Sequence, residues 1–258
     1  MILFETVAVA FAMFSAIPCP QPVWGQKNMR YVLCAFPLVG VVCGFLWWGW
    51  AALMRWVGGS VLLQAGGLCV IPVLLTGGIH LDGYADTSDA LASCTSPEKK
   101  REILQDPRCG AFAVIRLCTW FAAYFALCGS VQWDGRALRC MRLAFVLERC
   151  LSGFAIAAFP LAKNTGLAHT FAAAADKKKV RRVLAAASIL LALALAATGG
   201  LAGTAMVLAA GCVLWRYYRV SKEQFGGITG DLAGWFLQRA ELWMLAALAA
   251  VQLWEAMK

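Results

Sequence analysis

Residues 31–54 read YVLCAFPLVGVVCGFLWWGWAALM, a continuous apolar stretch without an acidic or basic side chain. A helix that spans the hydrocarbon core of a bilayer needs about 20 predominantly apolar residues. This stretch therefore predicts a transmembrane helix.

The remainder of the chain has the same character. Of the 258 residues, 61% are hydrophobic and only 14% are charged, and the mean hydropathy is +0.69. A soluble domain usually carries about 25% charged residues, so this composition favours lipid as the solvent. Barrel strands are short and alternate in polarity, whereas the apolar runs here are long. We predict an all-α, polytopic integral membrane protein that forms a single helical domain over residues 1–258.

About seven segments are predicted to cross the membrane. They are residues 31–54, 60–79, 109–131, 142–161, 183–197, 201–215 and 231–254. The N-terminal residues 1–17 are also apolar, but they lack a basic region before them and carry Glu5, unlike a cleaved signal peptide. We expect them to form an additional helix that lies either within the membrane or at its interface.

Positive charge divides the connecting segments into two groups. The basic loops, defined as residues 18–30, 80–108, 162–182 and 216–230, hold most of the lysines and arginines. The opposite loops are residues 55–59 and 132–141, the glycine turn at 199–203 and the C-terminus. Because cytoplasmic loops are enriched in Lys and Arg, we predict that the basic loops face the cytoplasm. The net charge of +9 is then explained by anionic lipid headgroups, and no nucleic-acid partner is predicted.

The eleven cysteines do not indicate a disulfide framework or a zinc site. They include no CxxC pair, and most lie inside apolar runs, where a thiol acts as a small hydrophobic side chain. Only two histidines are present.

The most distinctive polar sequence is TGGIHLDGYADTSD at residues 76–89. Asp82, Asp86 and Asp89 are spaced to lie along one face of a helix. Three neighbouring carboxylates repel one another, and a divalent cation would offset that repulsion, so we predict a Mg²⁺ site. The alternative is a solvated first helical turn. His80 is either an interfacial histidine or a general base that acts beside Asp82.

Two further sets of polar residues each have two possible interpretations. In REILQDPRCG, residues 101–110, Asp106 is predicted to join the metal ligands and Arg108 to bind a phosphate, or the two form a surface salt bridge. Glu148 and Arg149 fall inside an apolar helix, where ionisable groups are often functional. Arg149 is therefore predicted to bind substrate, unless the two residues only neutralise each other.

A glycine-rich turn, FGGITGD at residues 225–231, precedes the last apolar segment. Backbone N–H groups at such a turn and at a helix start suit a phosphate. Asp231 is expected at or near the helix N-cap. We predict substrate binding by residues from this turn and the helix after it, namely Gly226, Gly227, Thr229, Gly230, Asp231 and Glu241.

Five stretches together resemble cobalamin synthase, the adenosylcobinamide-GDP ribazoletransferase family. They are FPLVG at 36–40, GGIHLDGYADTSD at 77–89, DPRCG at 106–110, GL at 166–167, and GGITGD at 226–231 with Glu241. They occur in the family's order and extend over most of the chain. The stretch from His80 to Asp89 is the most specific of the five.

The resemblance implies the last step in assembling the nucleotide loop of adenosylcobalamin. The 5′ oxygen of α-ribazole, or of its 5′-phosphate, would attack the cobinamide-side phosphorus of adenosylcobinamide-GDP, and GMP would leave. The family requires Mg²⁺ and resides in the bacterial inner membrane. On this basis Asp82, Asp86 and Asp89 would hold Mg²⁺ and the diphosphate, and His80 would activate the hydroxyl group.

Two other functions compete with this interpretation. A CDP-alcohol phosphotransferase would carry a second aspartate motif with Ala-Arg between the aspartates, which this sequence lacks. An ion-coupled transporter would place its carboxylates in mid-span and show a sequence repeat, whereas the aspartates here follow the end of a span. The choice between free and phosphorylated α-ribazole, the identity of the base and the formation of a homo-oligomer stay open.

Overall fold

The computed structural model describes residues 2–19, 22 and 24–258, and within these residues it contains twelve helices and no strand. The all-α prediction is confirmed. All eleven cysteines are free thiols, as their positions in apolar runs predicted. The helices are α1 (Ile2–Phe14), α2 (Gln26–Met29), α3 (Val32–Val57), α4 (Val61–Thr76), α5 (Ile79–Ala92), α6 (Pro97–Ile103), α7 (Ala111–Ser130), α8 (Gly135–Ala158), α9 (Leu167–Ala174), α10 (Lys177–Gly199), α11 (Leu201–Phe225) and α12 (Gly230–Ala256).

The seven predicted segments correspond to α3, α4, α7, α8, α10, α11 and α12. Among the described residues, four helices are long and apolar enough to cross a membrane by themselves: α3, α7, α10 and α11. A fifth span results if α4 and α5 form one bent segment. α8 and α12 are 24 and 27 residues long, but both carry several ionisable side chains. The chain is therefore a multi-pass membrane protein, with fewer purely apolar spans than the sequence predicted.

Two glycines produce the bend between α4 and α5, whose axes meet at 94°. Gly77 and Gly78 have φ angles of 64° and 80°, in the left-handed region that side chains with a β-carbon rarely adopt. The Gly78 N–H donates to the Val73 carbonyl at 3.0 Å and closes the end of α4. α5, which carries the aspartates, can therefore begin at once in a new direction.

The centre of the bundle is formed by α8 and α12. α8 packs against α3 and α10, while α12 packs against α11 and α5. At Gly40 of α3, a β-carbon would lie 2.3 Å from the Phe145 carbonyl oxygen of α8. At Gly44, one helical turn further, it would lie 3.0 Å from the Arg142 Cα. These glycines let the two backbones approach closely, as small residues commonly do between membrane helices.

The basic loops meet at one end of the bundle, called here the site face. Arg101 donates to the Phe225 carbonyl at 2.9 Å, which joins α6 to the glycine turn. Arg30 pairs with Asp176 at 3.0 Å and joins the first basic loop to the third. The Ala162 N–H donates to the Ile228 carbonyl at 3.0 Å and joins the third basic loop to the fourth, so all four basic loops lie on one face, as predicted.

The opposite loops also lie together. Arg55 donates to the Trp133 carbonyl at 2.9 Å, and Arg136 pairs with Glu255 at 2.9 Å. The basic residues at 136–142 therefore lie on the face away from the site, as the arrangement of spans predicted.

The N-terminal helix α1 has 13 residues and a length of about 20 Å, too short for a hydrocarbon core of about 30 Å. It packs against α3, where the rings of Phe14 and Phe36 lie 4.3 Å apart. Of the two alternatives for this segment, its length fits the interfacial one.

The contact between α3 and α8 can be tested with one methyl group. Gly40→Ala should lower the free energy of unfolding by about 1–3 kcal/mol, because the new β-carbon meets backbone that cannot move aside. Gly49→Ala on the same helix meets no atom of the described residues within 4 Å, so it should be neutral or stabilising by up to about 1 kcal/mol. Thermal unfolding in detergent compares the two variants, and equal stability would contradict the packing described.

Candidate active site

The three aspartates lie on one helix, as predicted. Asp82, Asp86 and Asp89 occupy α5, where Asp82 is exposed and the other two are half-buried. The carboxylate of Asp86 experiences repulsion from Asp82, from Asp89 and from Asp231 on α12. Four carboxylates therefore share one region of the site face, and Asp231 was not part of the predicted stripe.

A backbone contact between α5 and α12 brings these carboxylates together. A β-carbon at Gly83 would lie 2.6 Å from the Asp231 carbonyl oxygen, and one at Gly234 would lie 2.8 Å from the His80 carbonyl oxygen. The absence of side chains at both positions allows the helices to cross at this distance. Asp82 and the first turn of α12 are therefore neighbours.

The glycine turn is held mainly by contacts within the protein. Gly226 ends α11 with a φ of 76°, and the Gly227 N–H donates to the Ser221 carbonyl at 2.9 Å. The Ile228 N–H donates to the Pro160 carbonyl at 2.8 Å. These two amides are already engaged, so a phosphate would have to bind further along, at the start of α12.

Thr229 is the N-cap of α12, and Asp231 lies within its first turn. The Thr229 hydroxyl accepts from the Leu232 N–H at 3.2 Å and donates to the Asp231 carboxylate at 3.3 Å. Asp231 lies within electrostatic range of Lys163 and Asp82. The capping role expected at or near Asp231 thus belongs to Thr229, which leaves the Asp231 carboxylate available to a ligand.

A cavity of about 410 Å³ opens beside this crossing, and we call it the inner cavity. Its lining combines phenylalanine rings and aliphatic side chains with polar groups. The polar groups include those of His80, Asp82, Lys163, Thr229 and Asp231.

A second and more open depression, the outer groove, has a volume of about 480 Å³. Its lining includes Gly77, Gly78, Asp82, Asp86 and Arg108. Asp82 therefore lines both spaces and lies where ligands in the two spaces would meet.

Arg108 and Asp106 form the salt bridge that the sequence left as the alternative. The guanidinium donates to the two carboxylate oxygens at 2.9 and 2.6 Å, and the Arg108 N–H donates at 3.0 Å. These bonds lower the pKa of Asp106 to about 2, because they stabilise the ionised carboxylate. Arg108 is 87% exposed and lines the outer groove, whereas Asp106 does not line it. The assignment of Asp106 to a metal ion stays a prediction.

His80 is buried at the inner cavity. It has an exposed fraction of 6%, and its ring meets Phe36 edge-on at 5.9 Å. Its Nε2 atom has no hydrogen-bond partner in the part of the chain that the structure describes. A buried nitrogen without a partner carries a desolvation cost that a ligand hydroxyl would remove.

Arg149 and Glu241 lie in the interior of the bundle and line neither space. Arg149 donates to Glu148 at 2.6 Å and to the Phe145 carbonyl at 2.9 Å. Glu148 and Arg149 thus neutralise each other, with Glu241 within electrostatic range of the guanidinium. Substrate binding by Arg149 and Glu241 gains no geometric support and stays a prediction.

The donor groups at the site suit magnesium. Within residues 2–19, 22 and 24–258, no three His, Cys, Asp or Glu side chains converge closely enough to form a complete metal site. Magnesium in phosphate-handling sites commonly takes one or two carboxylates, and substrate phosphates and water complete its coordination. Asp82 and Asp86 supply carboxylate oxygens of that kind on the wall of the outer groove.

Residues from the third basic loop and from α9 complete the inner cavity, and reasoning from the sequence missed them as site residues. Lys163, Thr165 and His169 all line it. One sequence feature points to this loop. Gly166-Leu167 is among the five stretches that resemble the family, although the resemblance gives it no role.

The chain is similar over nearly its whole length to known proteins. The family described as cobalamin-5-phosphate synthase matches residues 6–249. A protein of Lachnoclostridium phytofermentans named adenosylcobinamide-GDP ribazoletransferase is 39% identical over 94% of this chain and 92% of its own length.

Proteins of the same name show how widely this similarity extends. One from Pseudomonas savastanoi pv. phaseolicola is 36% identical over 93% of this chain and 97% of its own length. One from Geobacillus kaustophilus is 32% identical over 91% of this chain and 92% of its own length. No solved structure matches significantly. The extent of these matches shows that the chain belongs to the cobalamin-5-phosphate synthase family, a family of enzymes.

Proposed function

We propose that this enzyme transfers α-ribazole, or its 5′-phosphate, onto adenosylcobinamide-GDP and releases GMP in a Mg²⁺-dependent reaction. The observation that carries the proposal is the position of Asp82, which lines both the inner cavity and the outer groove. A reaction between two bulky substrates needs such a meeting point. The names of the family and of its relatives supply the identity of the two substrates.

The reaction exchanges one phosphorus–oxygen bond for another. A ribose hydroxyl oxygen of the acceptor forms a bond to the cobinamide-side phosphorus, and the bond from that phosphorus to the bridging oxygen breaks. The expected 5′ oxygen can be this nucleophile only in α-ribazole itself, because in the 5′-phosphate it is already esterified and a different ribose hydroxyl has to attack. The bridging oxygen leaves with its electron pair as part of GMP. The barrier arises largely from aligning the two oxygens and stabilising the charge that develops on the phosphate oxygens.

The residues of the site can meet these needs. The unpartnered Nε2 of His80 can accept the proton of the attacking hydroxyl. Asp82 and Asp86 would hold Mg²⁺, which neutralises charge on the diphosphate when it is bound. Arg108, at the outer groove, can turn from Asp106 to the diphosphate because it is exposed. Lys163 balances the charge of Asp231 beside the inner cavity.

The proposal includes the orientation of the enzyme. The basic loops form the site face, and cytoplasmic loops are the ones enriched in Lys and Arg. We therefore infer a bacterial inner-membrane enzyme whose site opens toward the cytoplasm, where nucleotide-activated substrates are made.

Asp82→Asn tests the function and the aspartate assignment together. Purified wild type with adenosylcobinamide-GDP, α-ribazole and Mg²⁺ should release GMP, and the variant should do so about 100-fold more slowly. Glu102→Gln is the matched control, since Glu102 is exposed and pairs with Lys99 at the surface.

The two ways in which this test can fail carry different meanings. No GMP release by a folded wild type would refute the transferase. Full activity of Asp82→Asn would keep the transferase and exclude the metal site at α5.

The salt bridge at the outer groove offers a second test. Arg108→Ala should raise the KM for adenosylcobinamide-GDP about tenfold, because a charge-assisted contact with the diphosphate is lost. Asp106→Asn should leave this KM unchanged or lower it, since the guanidinium is released for the substrate. A large fall in kcat with a higher Mg²⁺ requirement in Asp106→Asn would instead identify Asp106 as a metal ligand.

A further inference from the structure

The two spaces that meet at Asp82 differ in chemistry. The apolar part of the inner-cavity lining includes the rings of Phe14, Phe36 and Phe171. The Phe14 ring lies 4.3 Å from that of Phe36 and 5.4 Å from that of Phe171. A flat, uncharged ring system is the kind of group that such an aromatic wall binds.

The polar side chains of the inner cavity fit a sugar hydroxyl. His80, Asp82 and Thr229 line the same cavity as the aromatic wall, and the His80 ring lies 5.9 Å from that of Phe36. A ligand that fills the cavity therefore needs a flat apolar part for the aromatic wall and hydroxyl groups for the polar side chains. A nucleoside with a neutral base has this form.

The volume of the inner cavity restricts its occupant further. At about 410 Å³ it lies near the lower end of the range of about 300–1,000 Å³ typical of pockets for drug-sized ligands. A nucleoside fits within that space, but a corrinoid joined to a nucleoside diphosphate is far larger.

The outer groove suits the larger and more highly charged substrate. It is more open, and it presents the carboxylates of Asp82 and Asp86 beside the exposed guanidinium of Arg108. Diphosphate oxygens can bind there through the guanidinium and through a cation held by the carboxylates. The bulky parts of such a substrate can extend outward without being enclosed.

We propose that the inner cavity binds the acceptor nucleoside and the outer groove binds the diphosphate donor, so that the reacting oxygen and phosphorus meet at Asp82. This assignment rests on the proposed function and adds the location of each substrate. The aromatic wall formed by α1, α3 and α9 then faces the base of the nucleoside. The packing of Phe14 and Phe171, rather than a hydrogen bond to the base, sets which bases the enzyme accepts.

A bulky substitution at an exposed residue of the lining can narrow the inner cavity without disturbing the hydrophobic core. Thr165 is exposed and lines the cavity, whereas its neighbour Asn164 is exposed and does not line it. Thr165→Trp should raise the KM for α-ribazole about tenfold or more and leave the KM for adenosylcobinamide-GDP within about twofold of wild type. Asn164→Trp, the matched control, should change neither constant.

Binding without turnover provides an independent readout. In equilibrium dialysis with purified protein, Thr165→Trp should weaken the binding of α-ribazole and leave the binding of GDP with Mg²⁺ unchanged. Arg108→Ala should show the reverse pattern. Thermal unfolding checks that each variant remains folded.

The outcomes separate this inference from the function itself. GMP release by wild type establishes the transferase regardless of where each substrate binds. If Thr165→Trp then raises the KM for the donor instead, the two locations are exchanged and the inference is wrong. If it changes neither constant, the inner cavity is not a substrate site, and the inference is equally overturned.

Discussion

Helices α5 and α12 touch backbone to backbone at two glycines, Gly83 and Gly234, where any β-carbon would lie within 2.8 Å of the neighbouring chain. This contact fixes the side chains of α5 and α12 in position relative to one another. It sets Asp82 beside Asp231 and aligns the wall of the inner cavity with that of the outer groove. The site therefore depends on a short distance between backbones more than on any single ion pair.

Close packing of this kind suits a protein in lipid. Apolar side chains gain little by leaving lipid for the interior of a bundle, so helices associate through close contact and internal polar pairs. Gly40 and Gly44 provide such contact between α3 and α8, and the pair of Glu148 and Arg149 places opposite charges in the interior. The carboxylates at the site face, by contrast, have no such partner on their own helix and are suited to a cation and a charged substrate.

Local sequence patterns predicted the parts of this structure that local forces determine. Apolar runs gave the long helices, basic residues grouped the loops, and the spacing of three aspartates placed them on one helix. The crossing of α5 with α12 and the inner cavity were missed, because they arise from contacts between segments far apart in the chain, such as Gly83 with Asp231 and Phe14 with Phe171. The roles of Asp106 and Arg108 could be predicted only in part. Their closeness in sequence was compatible both with a salt bridge between them and with separate roles in binding a metal ion and a phosphate.

The bend at Gly77 and Gly78 has a consequence for the evolution of the enzyme. Two consecutive left-handed residues disfavour every amino acid except glycine at both positions, since each alternative adds a β-carbon. If the inner cavity binds the acceptor, as proposed, adaptation toward new acceptors would draw instead on positions whose backbone is compatible with many side chains, such as Thr165 at that cavity. Substrate range can therefore diverge among relatives while the corner that aims the aspartates remains fixed.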